Sequence, residues 1–160
     1  MSTLNPYEKY LDERPAEEIL AATPAVLQKL IDTMGADRAL IAPAPGRWNA
    51  AQIAAHLADC EIVFSFRLRQ TVAEDGPVIQ PFDQDRWAAA YSGFSAAEAL
   101  AAFSAIRSWN LRFLGAVLPA ASGRIMTHPE RGAMTFQTVV ETMAGHDLNH
   151  LGQLERIAAN

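Results

Sequence analysis

Apolar residues recur along this chain at spacings of three and four, and strand-like alternation is hard to find over more than four residues, so the pattern predicts an all-α fold. Residues 1–22 read as a lead-in, with two short helical pieces, Pro6 to Leu11 and Pro15 to Ala22, each opened by a proline. Thr23 then offers an N-cap with Pro24 at the first helical position, and Leu27, Leu30, Ile31 and Met34 form one stripe before Gly35. Pro43 and Pro45 make Ala42 to Gly46 a stiff loop, because each also pushes its predecessor out of the α region. A second helix starts at Asn49, whose side chain and that of Gln52 have the spacing of a capping box, with Trp48 placed to staple onto Ile53. It runs to about Glu74, where Asp75-Gly76-Pro77 ends it. Gly76 to Phe94 is then a connection of about nineteen residues, longer than bundle neighbours need.

Ser95 and Glu98 form another capping box, opening a third helix with Leu100, Phe103, Ile106, Asn110, Leu114 and Val117 on one arc and Pro119 at its end. Gly123 to Gly132 reads as a loop, Thr135 as the cap of a fourth helix, and the helical period persists to about Ala158. The expectation is one domain over residues 1–160: a four-helix bundle with a long connection between its second and third helices.

The chemistry concentrates on two of these helices. On a helical wheel Phe136, Val139, Val140, Met143, Leu154 and Ile157 share an arc of the last helix, and His146 and His150 lie on that arc. Histidines four apart stack one turn apart, with Cβ atoms about 6 Å from each other, so both rings can reach one ion. His56 sits at the edge of the apolar arc that Ile53, Leu57, Cys60, Phe64 and Leu68 form on the second helix. Three neutral imidazoles would leave a coordination position open for water or substrate. The competing reading is a set of core histidines bonded to backbone or to one another. Asp147 stands where a zincin protease has its glutamate, so no protease mechanism follows.

Composition narrows the classes. Thirteen basic against eighteen acidic side chains give a net charge of -5, which opposes phosphate neutralisation and argues against nucleic acid as a partner. A single cysteine excludes an internal disulfide and a Cys-rich zinc site. The amino terminus lacks the order of a secretory signal, and no apolar stretch reaches membrane-spanning length, so a cytoplasmic protein without a membrane partner is expected.

Gly46-Arg47-Trp48-Asn49, then Gln52-Ile53-Ala54-Ala55-His56-Leu57-Ala58-Asp59, and later Gly145-His146-Asp147-Leu148-Asn149-His150-Leu151-Gly152-Gln153-Leu154, resemble in order and separation the two signature blocks of the DinB superfamily. The resemblance covers the chain from about Thr23 to the end. It implies a four-helix bundle with a long link between helices two and three, and a divalent metal, zinc or nickel first, on a histidine triad that falls on His56, His146 and His150. It also implies small-molecule chemistry, because characterised relatives include metal-dependent transferases of low-molecular-weight thiols such as bacillithiol, mycothiol and glutathione.

The leading expectation is therefore a metal-dependent thiol transferase using a low-molecular-weight thiol as cosubstrate. A metal-dependent hydrolase is the first alternative, and a non-catalytic metal-binding module, possible as a homodimer, is the second. Gln153, three residues beyond His150, is placed to support the ligands. Arg107 and Asn110 lie inside the apolar arc of the third helix and suit a substrate carboxylate, against the plainer reading of an interhelical ion pair. Arg67 carries the same pair of readings on the second helix. His128 precedes the ligand-bearing helix as an overhanging acid or base, and Trp87 and Tyr91 are candidate pocket-mouth residues. Cys60 is read as core before ligand, Asn149 as surface, and Asp59 and Glu61 as carboxylates off the core arc.

Overall fold

Both capping boxes form. Asn49 Oδ1 accepts from the Gln52 N–H at 2.9 Å while Gln52 Oε1 accepts from the Asn49 N–H at 3.0 Å. Ser95 and Glu98 exchange the equivalent bonds at 3.2 and 3.1 Å. In the computed structural model, which describes residues 4–159, these starts open α2 (Ala50–Ala73) and α4 (Ala96–Val117). With α1 (Ala16–Ala39) and α5 (Phe136–Ala159) they make a four-helix bundle. The long connection between α2 and α4 carries the short α3 (Gln84–Ala88), capped by Asp83, and a 3-10 turn at Tyr91–Gly93. None of the described helices is long and apolar enough to cross a membrane.

Two local expectations need correction. The first bundle helix does not begin at Pro24 but runs through it from Ala16. Thr23 donates its hydroxyl back to the Ile19 carbonyl at 2.9 Å rather than capping. The Leu20 carbonyl, to which Pro24 has no N–H to give, accepts instead from Arg107 Nη1 at 2.9 Å. A donor from α4 thus replaces the hydrogen bond that an internal proline removes. Gly35, at φ 74° and ψ 166°, breaks the helix before its last turn, a conformation that suits glycine.

The second correction concerns the loop before α5, which contains β1 (Ile125–His128) and β2 (Gly132–Thr135), an antiparallel hairpin pairing Ile125 with Thr135 and His128 with Gly132. Met126 and Met134, paired across it, point into the core, but alternation over four residues is too short to stand out in sequence. The hairpin also holds the long connection: the Ile79 N–H donates to the Thr127 carbonyl at 3.0 Å, and the Thr127 N–H to the Pro77 carbonyl at 2.8 Å.

Around the bundle the order of neighbours is α1, α4, α2, α5, so the consecutive helices α1 and α2 face each other across a diagonal, as do α4 and α5. The core falls into two apolar clusters, one holding Leu27, Ile53, Leu57, Phe103 and Leu154 and the other Leu20, Leu68, Leu114, Phe136 and Val140. Between them along the helices lie the buried polar groups Glu61, Arg107, His146, Asp147 and His150. The bundle thus carries a polar layer across its middle.

Candidate metal centre

Three imidazoles meet in that layer. The capped start of α2 fixes the helical frame that turns His56 inward, and His146 and His150 come from successive turns of α5. His56 Nε2 lies 3.0 Å from His146 Nε2, and one ring nitrogen from each of the three histidines lies within 4.8 Å of the others. All three are buried. Burial, together with the neighbouring His150, holds His56 down at about 3. Burial likewise takes His146 well below the usual range, aided by His150, His56 and Arg107. His150 is lowered by burial, against the opposing pull of Gln153 and Asp147. The rings are therefore neutral at physiological pH and offer lone pairs. His150 Nδ1 donates to Gln153 Oε1 at 3.1 Å, which leaves Nε2 as the free acceptor. A buried cluster of neutral nitrogen donors, one of them oriented by a hydrogen bond, fits a divalent cation of the class that prefers imidazole.

The surroundings are asymmetric. On one side Cys60 Sγ stands 3.5 Å from His56 Nε2 and 3.8 Å from His146 Nε2, and burial, with Asp59, Glu61 and Asp147 nearby, pushes the thiol up. The other side opens into a cavity of about 680 Å³ whose wall includes His56, His150, Gln153, Asn149, Arg47 and Tyr7. Trp48 packs its ring 4.9 Å from that of His56, and Tyr7 meets His146 edge-on at 5.1 Å. Tyr7 belongs to the segment leading into the 3-10 turn at Glu8–Tyr10, and burial followed by Cys60 raises its phenol.

The DinB superfamily model matches residues 19–154, which include all three histidines. The chain belongs to the DinB superfamily. This DinB chain is 29% identical over 110 residues to an Oceanobacillus iheyensis protein that bears the name "Putative metal-dependent hydrolase", a match covering 68% of this chain and 64% of that one. It is 31% identical over 71 residues to YfiT of Bacillus subtilis, named in the same way, covering 44% of this chain and 39% of YfiT. The chain thus spans less than two thirds of the length of these curated relatives. A solved structure of YfiT, described as a "probable metal-dependent hydrolase with an unusual four-helix bundle topology", superposes with a TM-score of 0.78 at 19% identity, covering 98% of this chain and 89% of that one; this likeness is one of fold.

Within this DinB bundle, Gln153 lines the cavity and holds His150. Arg107 and Asn110 are buried outside that cavity. Arg107 bridges Asp147 at 2.6 Å and Glu61 at 2.7 Å, and Asn110 Nδ2 donates to Glu61 Oε2 at 2.9 Å. Glu61, placed off the core arc by the wheel, is buried because Arg107 and Asn110 supply its partners. Asp59 accepts from the Tyr91 hydroxyl at 2.7 Å. Arg67 donates to the Gln80 carbonyl at 2.7 Å and so ties α2 to the long connection. His128 is buried on β1, where its Nδ1 accepts from the Glu130 N–H at 3.2 Å, and Trp87 is exposed and packs on Phe82; neither lines the cavity.

Several cavity residues, among them Asp85, are given no role at the site by the sequence reading. Asn149, expected at the surface, is half-buried on the wall; Arg47 stands in the loop before α2; Tyr7 comes from the lead-in segment. One signal for Tyr7 was present: Gly145, in the middle of a helix and beside a ligand, marks a close approach of other atoms.

Proposed function

We propose that this protein is a metal-dependent enzyme that holds a divalent cation, zinc or nickel, on His56, His146 and His150 and turns a small nucleophile on a substrate in the adjoining cavity. The observation that carries the reading is the convergence of three buried, neutral imidazoles on one point beside a 680 Å³ cavity. Bound there, the cation would lower the pKa of a thiol or a water and so supply a nucleophile near neutral pH. The chain's own residues do the rest. Gln153 fixes the face that His150 presents, Trp48 and Tyr7 shield the ring edges, and the cavity wall orients the substrate.

The disposition of carboxylates favours thiol transfer. Glu61 and Asp147 are both bonded to Arg107, and Asp59 to Tyr91, and none of the three lines the cavity where a water would be activated. A metal-coordinated thiol is deprotonated outright and needs no such base. The second reading, hydrolysis, rests on the names of the relatives and on Asp85, an exposed carboxylate on the cavity wall.

Metal analysis of purified wild type and of His56→Ala and His150→Ala tests the centre: the wild type is expected to hold about one equivalent and both variants to lose it, and unchanged stoichiometry in both would sink the assignment. Bacillithiol, mycothiol and glutathione against electrophiles, run beside ester and amide substrates, then choose the reaction. Ester or amide turnover that disappears in Asp85→Asn would favour hydrolysis over thiol transfer.

A further inference from the structure

We propose that Tyr7 is a substrate-binding residue of the same centre: its phenol donates a hydrogen bond to an oxygen of the small molecule held against the histidine triad, and Gly145 exists to let it do so. The inference rests on the metal-dependent reading above and assigns the lead-in segment a role in it.

Tyr7 lines the cavity together with His56 and His150, and its ring stands edge-on to that of His146 with centroids 5.1 Å apart. It therefore packs on one member of the triad and shares the cavity with the other two, while coming from a part of the chain far from them in sequence. Among the described residues its hydroxyl makes no hydrogen bond, although a phenol is both donor and acceptor. The backbone around it, by contrast, is pinned. The Tyr7 N–H donates to Asn5 Oδ1 at 2.9 Å, and the Tyr7 carbonyl accepts from the Tyr10 N–H at 2.9 Å. A fixed backbone that seats an unpaired phenol at the wall of a cavity is the arrangement of a binding group, whereas a residue that served only to fill the wall would need no hydroxyl.

The contact with α5 explains how Tyr7 comes so close. A Cβ at Gly145 would lie 2.6 Å from the Tyr7 carbonyl oxygen and 2.8 Å from Tyr7 Cβ. Only glycine lets this turn seat on the helix one residue before His146. Any side chain there would push the turn, and the phenol with it, away from the triad while leaving the three ligands on their own helices.

The test uses the full chain loaded with cobalt(II), whose visible spectrum reports changes at the ion. Acetohydroxamate, a chelator with acceptor oxygens, and imidazole, which has none, are titrated against wild type, Tyr7→Phe and Gly145→Ala. Tyr7→Phe is expected to keep full cobalt stoichiometry and the wild-type affinity for imidazole, and to bind acetohydroxamate about five- to tenfold more weakly, the loss of one hydrogen bond. Gly145→Ala is expected to weaken acetohydroxamate similarly and to speed tryptic cleavage at Arg14 as the turn lifts. Equal acetohydroxamate affinity in Tyr7→Phe and wild type overturns the proposal, and so does an equal loss for both probes, which would make Tyr7 a packing residue. A wild type that takes up no cobalt overturns the metal-centre reading as well, so the two failures are distinguishable.

Discussion

Arg107 touches four helices from one position. Its guanidinium, at the centre of the bundle, bonds Asp147 on α5 at 2.6 and 3.1 Å, Glu61 on α2 at 2.7 Å and the Leu20 carbonyl on α1 at 2.9 Å, and it stacks over Phe103 on its own helix. Burial works against its charge, but Asp147 and Glu61 more than offset this and raise the group, so it stays protonated. Arg107→Met is expected to cost about 3–5 kcal/mol in urea denaturation, because two carboxylates would remain buried without a cation. Adding Glu61→Gln and Asp147→Asn to that variant should recover part of the loss; no recovery would mean that the side chain acts by packing alone. Gln153 supports a ligand rather than the fold. Gln153→Ala is expected to lower metal affinity about 10- to 100-fold in a chelator competition, with little change in metal-free stability.

At the scale of elements, the start of α2 matters most, because its cap sets the rotation that turns His56 inward. Asn49→Ala removes the acceptor for the Gln52 N–H and should cost about 1 kcal/mol, seen as a melting temperature lower by about 2–4 °C. An unchanged melting curve would show that Trp48 packing alone holds the start. These starts were readable in the sequence because a cap is a matter of residues three apart. The passage of α1 through Pro24 was not, since the donor that replaces the missing N–H belongs to Arg107, 87 residues away in sequence from its acceptor Leu20. The hairpin was hidden for a related reason: its strands are held by each other and by Pro77 and Ile79.

For the whole molecule, placing three imidazoles in the polar layer links stability to pH. In the folded, metal-free protein His56 stays neutral down to about 3, and His146 and His150 are also lowered, whereas in the unfolded chain each takes up a proton near 6.5. Below that value the unfolded state binds more protons, so stability falls as the pH drops below about 6.5; for His56 the fall continues toward about 3 at on the order of 1 kcal/mol per pH unit, and His146 and His150 act in the same direction. Urea midpoints of metal-free protein at pH 7, 6 and 5 check this, and a flat series would mean that the rings are not buried neutral. Metal that binds only the folded form should raise stability by about 2.7 kcal/mol at a free concentration one hundred times its Kd.

The sequence by itself determined the four long helices, the two capped starts and the histidine pair on one face of α5, since each follows from spacings within a few residues of chain. It also pointed to His56 as the third ring. Only the tertiary structure decided which way the buried charges face, that Glu61 and Asp147 share Arg107, and that Tyr7 and Asn149 line the cavity. Those outcomes depend on which helices cross the diagonals of the bundle and how closely a distant turn can approach Gly145, and local spacing carries no information about either.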